Sequence, residues 1–171
     1  MEKEKTLLSE IVSGAYDAAD RPFDFLEENV VTALVCESNP VTRDKIISIL
    51  TEMEYQITAP FTAKEALKNM LFHIYNVVIV NELFDTDIPE GNQVFSYLAS
   101  LDMSTRRQIF VALIGNRYRT MDNMAAFNQS VNLVINMKNL DDVGTILKGA
   151  IKDNNNFYFV FKEALRNRGR M

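Results

Sequence analysis

The block Val77-Val78-Ile79-Val80, four consecutive β-branched residues between Asn76 and Asn81, restricts what this chain can fold into more than any other stretch. It has no polar alternation, so neither side of it can face water, and it is too short for a buried helix. Such a segment reads as a strand covered on both faces, the situation of strands in parallel sheets. Ligands of those sheets gather beyond the carboxyl ends of the strands. Asn81 stands at that end, and its amide has neither a proton to exchange near neutral pH nor a charge for a metal. The central position is therefore expected to be chemically silent.

Four more segments repeat the pattern. Thr32-Ala33-Leu34-Val35-Cys36 and Ile109-Phe110-Val111-Ala112-Leu113-Ile114 read as fully buried strands, Asn132 to Asn136 as another, and Tyr55 to Ala59 as a partly polar one. Helices fill the intervals. Asn39-Pro40 fits an N-cap with proline at the first helical position, opening a helix to about Glu54 with Ile46, Ile47, Leu50 and Met53 inward. Thr62 and Glu65 form a capping box for a helix reaching about His73, which is expected to be a surface cation at the helix's negative pole. Val94, Phe95, Tyr97, Leu98 and Leu101 mark a third helix, and Thr120 to Gln129 a fourth. Leu140, Val143, Leu147, Ala150, Phe157, Phe161 and Ala164 follow near heptad spacing, and the asparagines at 154–156, which favour caps over interiors, leave open one helix or two. Strands alternating with helices over short links give a parallel α/β sheet with helices on both faces.

The chain has 171 residues, 47% of them hydrophobic, enough for one domain and its core. The expected division is an N-terminal helical and linker segment at 1–29, the sheet domain at 30–152 and a C-terminal helical extension at 153–171. In the first segment Leu7, Leu8, Ile11, Val12, Ala15 and Tyr16 recur at helical spacing. Arg21-Pro22 should end that helix, and Phe23, Phe25 and Leu26 are expected to pack back onto their own domain. A formal charge of −5 argues against a nucleic-acid footprint. Cys36 and His73 are the only residues of their kinds, so neither a disulfide framework nor a zinc cluster is expected. No apolar run reaches the roughly 20 residues of a membrane helix. A cytoplasmic protein with no cofactor, no bound metal and no membrane contact is the expectation.

From Thr32 to Ile151 the order of elements resembles the CheY-like receiver domain of bacterial response regulators, a flavodoxin-like three-layer sandwich with a five-stranded parallel sheet. The resemblance rests on Leu34-Val35-Cys36-Glu37-Ser38-Asn39-Pro40 after the first strand, on the valine-rich third strand with its Pro89 and Gly91 loop, and on Asn132 to Leu140. It implies a phosphoryl group on an aspartate ending the third strand, magnesium on an acidic pair after the first, a threonine or serine after the fourth and a lysine after the fifth. In this chain the acidic pair falls on Glu37 and Ser38, the phospho-acceptor on Asn81, the hydroxyl on Ile114 and the lysine on Asn136. An amide cannot form an acyl phosphate, and a hard cation loses carboxylate ligands at Ser38 and Asn81. Ile114 donates no hydrogen bond and Asn136 brings no charge. Glu82, one residue on, should point to the opposite side and is a poor substitute acceptor.

A weaker resemblance is to bacterial proteins in which a zinc ribbon and a linker precede a receiver-like domain. It rests on Tyr16 to Glu28, Ser104 to Gln108 and Arg117 to Met124, and with one cysteine no ribbon role transfers.

The expectation is a degenerate receiver, or pseudo-receiver, without enzymatic activity, acting as a phosphorylation-independent protein–protein interaction module in two-component signal transduction. Its surface candidates are Arg106, Arg107, Arg117, Tyr118 and Arg119, read as four guanidiniums near one end of the sheet. The aromatics Phe157, Tyr158 and Phe161 of the C-terminal helix join them, a helix that also suits a homodimer. An alternative is a sensor that reads a small ligand or anion with Ser38, Asn81 and Asn136. An enzyme built on Glu37, Asp85 and Asp87 lacks a poised nucleophile.

Overall fold

The computed structural model describes residues 30–169. The predicted N-terminal helix, its proline stop and the Phe23, Phe25 and Leu26 cluster lie outside those residues.

Among the described residues five parallel strands, β1 (Thr32–Cys36), β2 (Gln56–Thr58), β3 (Val77–Asn81), β4 (Phe110–Gly115) and β5 (Leu133–Asn136), form one sheet in the order β2-β1-β3-β4-β5. The β-branched block thus sits at the centre, flanked by β1 and β4. Because side chains alternate along a strand, the sheet divides its apolar residues into two layers. Leu34, Cys36, Val78, Val80, Val111, Leu113 and Val134 pack on α2 (Ala63–Phe72), α3 (Gln93–Ser100) and α5 (Asn123–Asn128). Ala33, Val35, Val77, Ile79, Ala112, Ile114 and Ile135 pack on α1 (Pro40–Glu52) and α6 (Val143–Phe157). This is the predicted three-layer sandwich. Cys36 is fully buried in it, and burial raises its thiol pKa, so it acts as a small core residue.

The predicted helix starts hold at atomic level. Asn39 Oδ1 accepts the amide N–H of Val41 and Thr42, and Thr62 Oγ1 accepts that of Glu65. Two short elements carry no strong sequence signal, the helix α4 (Met103–Arg106) and a 3-10 turn at Met137–Asp142.

The asparagines do not break the C-terminal helix. α6 runs through 154–156 to Phe157, and the break falls at Tyr158, before α7 (Phe159–Arg166). Each asparagine costs only a fraction of a kcal/mol in a helix (about 0.5), and Val143, Leu147 and Ile151 already anchor this one in the core. The step to the C-terminal extension, placed at 152/153 from sequence, therefore falls inside α6.

His73 also departs from its expected role. Its Nε2 lies 2.8 Å from Thr32 Oγ1 and its ring meets Tyr75 edge-on. Burial lowers its pKa and so disfavours the cation, and the half-buried ring packs between Thr32 and Tyr75 rather than standing as a surface charge.

Candidate functional site

Parallel strands bring Glu37, Asn81, Gly115 and Asn136 to the same edge of the sheet. Glu37 is buried directly after β1. Its Oε1 accepts the Asn39 N–H at 2.9 Å, and its Oε2 accepts Asn81 Nδ2 at 2.7 Å. The other end of that amide, Asn81 Oδ1, accepts the Leu83 N–H at 2.9 Å. Both carboxylate oxygens and both ends of the carboxamide are thus engaged within the protein. Ser38, the second member of the expected acidic pair, is exposed. Among the described residues no group of three or more His, Cys, Asp or Glu is arranged to hold a metal ion.

Asn136 works as a strut. Its Nδ2 donates to the carbonyls of Tyr118 and Asn116, its Oδ1 accepts the Lys138 N–H, and its own N–H donates to Thr120 Oγ1. Where the resemblance implies a charged lysine, a neutral amide ties the loop after β4 to the end of β5. Ile114 is fully buried in the layer under α1 and α6. Its place is in the core.

Glu82 turns away from Glu37, as strand alternation requires. Its Oε1 accepts the Asn116 N–H at 2.7 Å and its Oε2 pairs with Arg117 Nε at 2.7 Å. Arg117 reaches on to Glu90 at 3.0 Å and lies over the Tyr118 ring, 5.3 Å from its centroid. The hydrogen bond to Glu82 is the main cause that raises the Arg117 pKa. A fixed ion pair thus holds the loop after β4. Gly115 makes room for it, since a Cβ there would stand 2.8 Å from Glu82 Cγ and closer still to its carboxylate.

Asn92 completes the edge. Buried at the start of α3, it donates from Nδ2 to the carbonyls of Asn81 and Glu82 while its Oδ1 caps the helix. Asp85, at φ +54°, accepts the Ala63 N–H and pins the same loop to α2. Glycine at the end of a buried strand is the one sequence signal for this arrangement. The Glu82–Arg117 pairing spans 35 positions and leaves no local trace.

The arginines do not form one cluster. Arg106 and Arg107 precede β4 while Arg117 and Arg119 follow it, so the strand separates the pairs by about 20 Å. Arg106 is a staple rather than a free cation: it donates to the carbonyls of Ile109 and Ser130 and to Asn132 Oδ1, and burial lowers its pKa. Arg106→Ala should cost about 2 kcal/mol, because several charge-assisted bonds disappear together. Arg107 lies over Phe161 at 5.8 Å, and Arg107→Ala should stay within about 0.5 kcal/mol. Urea midpoints compare the two, and equal losses would contradict the assignment.

The open surface lies elsewhere. Phe157 is 80% exposed, and Met121, Met124 and Phe127 are 63%, 68% and 77% exposed. Met121 and Phe157 line one groove of about 680 Å³ beside β5, while Phe127 and Tyr158 line its neighbour. The predicted aromatics at 157 and 158 thus share a surface with α5, whose buried contribution is only Ala125 and Ala126. Met121, Met124 and Phe127, spaced by three, are its sequence signal.

No family model matches this chain, and no curated protein sequence does. Solved structures match its architecture. The structure of Brucella abortus NtrX, determined in complex with ADP, superposes with a TM-score of 0.59 at 15% identity over 83% of this chain and 30% of that one. A candidate response regulator of Chloroflexus aurantiacus gives 0.57 at 13% identity over 72% of this chain and 99% of the other. A CheY-like response regulator receiver domain of Methanospirillum hungatei gives 0.53 at 14% identity over 75% and 98%. At these identities the likeness is one of architecture. The chain has the CheY-like receiver fold.

Proposed function

We propose that this chain is a pseudo-receiver, a signal-transduction module of the cytoplasm that works by protein contact without being phosphorylated and without enzymatic turnover. The observation that carries the reading is the bridge Glu37–Asn81–Leu83, in which an amide occupies the phospho-acceptor position with its oxygen and its nitrogen both engaged. Phosphorylation at a receiver's acceptor position needs a carboxylate there, and a cation to offset charge on the phosphoryl oxygens. Here one carboxylate is present and both its oxygens accept hydrogen bonds. Incubation with a small-molecule phosphodonor and magnesium should leave the intact mass unchanged, and a stable phosphoryl adduct on the folded chain would overturn the reading.

Contact function then falls to the apolar surface of Met121, Met124, Phe127 and Phe157, because exposed large apolar groups gathered in one place mark interaction sites. A second copy of this chain meeting it through the C-terminal helix is the homodimer the sequence suggests. Light scattering at rising concentration should give a dimer mass that Phe157→Glu returns to monomer; a monomer mass throughout removes the dimer. The small-ligand reading is not favoured, since the amides of Asn81 and Asn136 would first have to release their present partners.

A further inference from the structure

Below the sheet, at the amino-terminal ends of its strands, lies a groove of about 340 Å³ floored by Val31, Val77, Phe110 and Ile151. Pockets for small ligands run from roughly 300 to 1,000 Å³, so this one has the size for a small molecule. Its polar groups are mainly donors. Asn76 lines the groove, and its Oδ1 accepts the Thr32 N–H at 2.8 Å, which fixes the orientation of the amide. Nδ2 then has no partner among the described residues, where no buried side-chain nitrogen is left unpaired, so it reaches open space. Burial raises the Tyr55 pKa, and the hydroxyl that this side chain adds to the lining keeps its proton. Lys162 and Arg166 of α7, one turn apart, add two cations. Lys162 Nζ donates to the neutral Asn155 Oδ1 at 2.7 Å, and its pKa is lowered by burial first and by Arg166 second. Among the described residues neither cation is ion-paired with a carboxylate.

An apolar floor under a donor-rich rim selects a ligand divided in the same way. Glu163 is the acid of the lining, so against Lys162 and Arg166 the groove carries one positive charge in excess. A monoanion cancels that charge, whereas a dianion would reverse it. A partly desolvated cation also gains more from an anion than a fully hydrated one, because the dielectric around it is lower. Phe159, 57% exposed, belongs to the same lining and offers its ring to an apolar group. We propose that this groove binds a small apolar monoanion, an acyl carboxylate of medium chain length, with its chain on Val77, Phe110 and Phe159 and its carboxylate towards Lys162, Arg166 and Asn76 Nδ2. The site lies at the edge of the sheet opposite the one that carries Asn81. The inference is independent of the pseudo-receiver reading.

Octanoate is the probe, titrated into the uniformly labelled full chain while two-dimensional NMR follows the backbone amides. Saturable shifts are expected at Asn76, Val77 and Phe110 and along α7. Octanamide keeps the chain without the charge, and acetate keeps the charge without the chain. Each should bind at least about tenfold more weakly, the loss of a charge-assisted hydrogen bond or of several buried methylenes. Lys162→Gln with Arg166→Gln should weaken octanoate by a similar factor and leave octanamide unchanged, a split that a merely structural role of α7 would not produce. Phe159→Ser, at an exposed position, should weaken both. Equal binding of octanoate and octanamide would overturn the proposal, as would octanoate affinity that survives the double substitution. Shifts confined to the surface of Met121, Met124 and Phe127, or no saturable binding at all, would do the same.

Discussion

Gly115→Ala should destabilise the chain by about 3 kcal/mol, although it adds one methyl group. The new Cβ would lie 2.8 Å from Glu82 Cγ and would overlap the carboxylate itself. A carboxylate at the end of a flexible side chain can normally step aside, but Glu82 is buried and holds both the Asn116 N–H and Arg117. Moving it leaves a buried charge without its partner, a loss on the order of 3–5 kcal/mol when complete. Arg117 is 39% exposed, and water there softens the penalty towards the lower end. The cause is testable by a double-mutant cycle. Glu82→Ala alone should cost about 1–2 kcal/mol, and Gly115→Ala should add almost nothing in its presence, because the obstructing carboxylate has gone. Chemical denaturation of the four proteins measures this, and additive losses would contradict it.

Asn81→Asp should be the second severe change, at about 2–4 kcal/mol near pH 7. The substitution replaces an N–H donor 2.7 Å from Glu37 Oε2 with a second carboxylate, and like charges at that separation cannot both ionise freely. The chain can always protonate the new acid, which limits the cost. From an ordinary aspartate pKa near 3.9, protonation at pH 7 costs roughly 4 kcal/mol. The sign of the pH dependence follows. The new carboxyl has a folded pKa raised above its unfolded one, so the unfolded state releases its proton first and the penalty grows with pH between the two values. As pH falls to about 4 the variant should approach the parent chain in stability. Magnesium should also raise the melting temperature of the variant, since two adjacent carboxylates are the start of a hard-cation site. The parent should not respond. A variant as stable as the parent at pH 7 would mean that the Glu37–Asn81 contact is not formed.

Much of the fold is legible in the sequence because it depends on composition within short windows. β-Branched runs mark buried parallel strands, and Asn39 and Thr62 announce helix starts through bonds to residues two or three positions away. The approach of Asn81 to Glu37 follows from parallel topology, since they stand at the ends of adjacent strands. What escapes the sequence depends on distant partners. Arg106 looks like a surface cation until β5 and the loop before it bring Asn132 and Ser130 to it. His73 reads as a helix-end cation because Thr32, 41 residues away, cannot be seen from its neighbours. The sequence leaves open one C-terminal helix or two because local propensity at the asparagines ignores the core residues that hold α6 together as far as Tyr158.

The proposal that this sheet edge takes up no phosphoryl group is tested most directly by following every backbone amide at once. Two-dimensional NMR spectra of the uniformly labelled chain should be superimposable before and after adding magnesium and a phosphodonor, with Gly115, Asn116 and Arg117 unmoved. Shifts that propagate from Asn81 through the loop after β4 to Asn136 would contradict the account, because they would mean that this sheet edge senses a phosphoryl group.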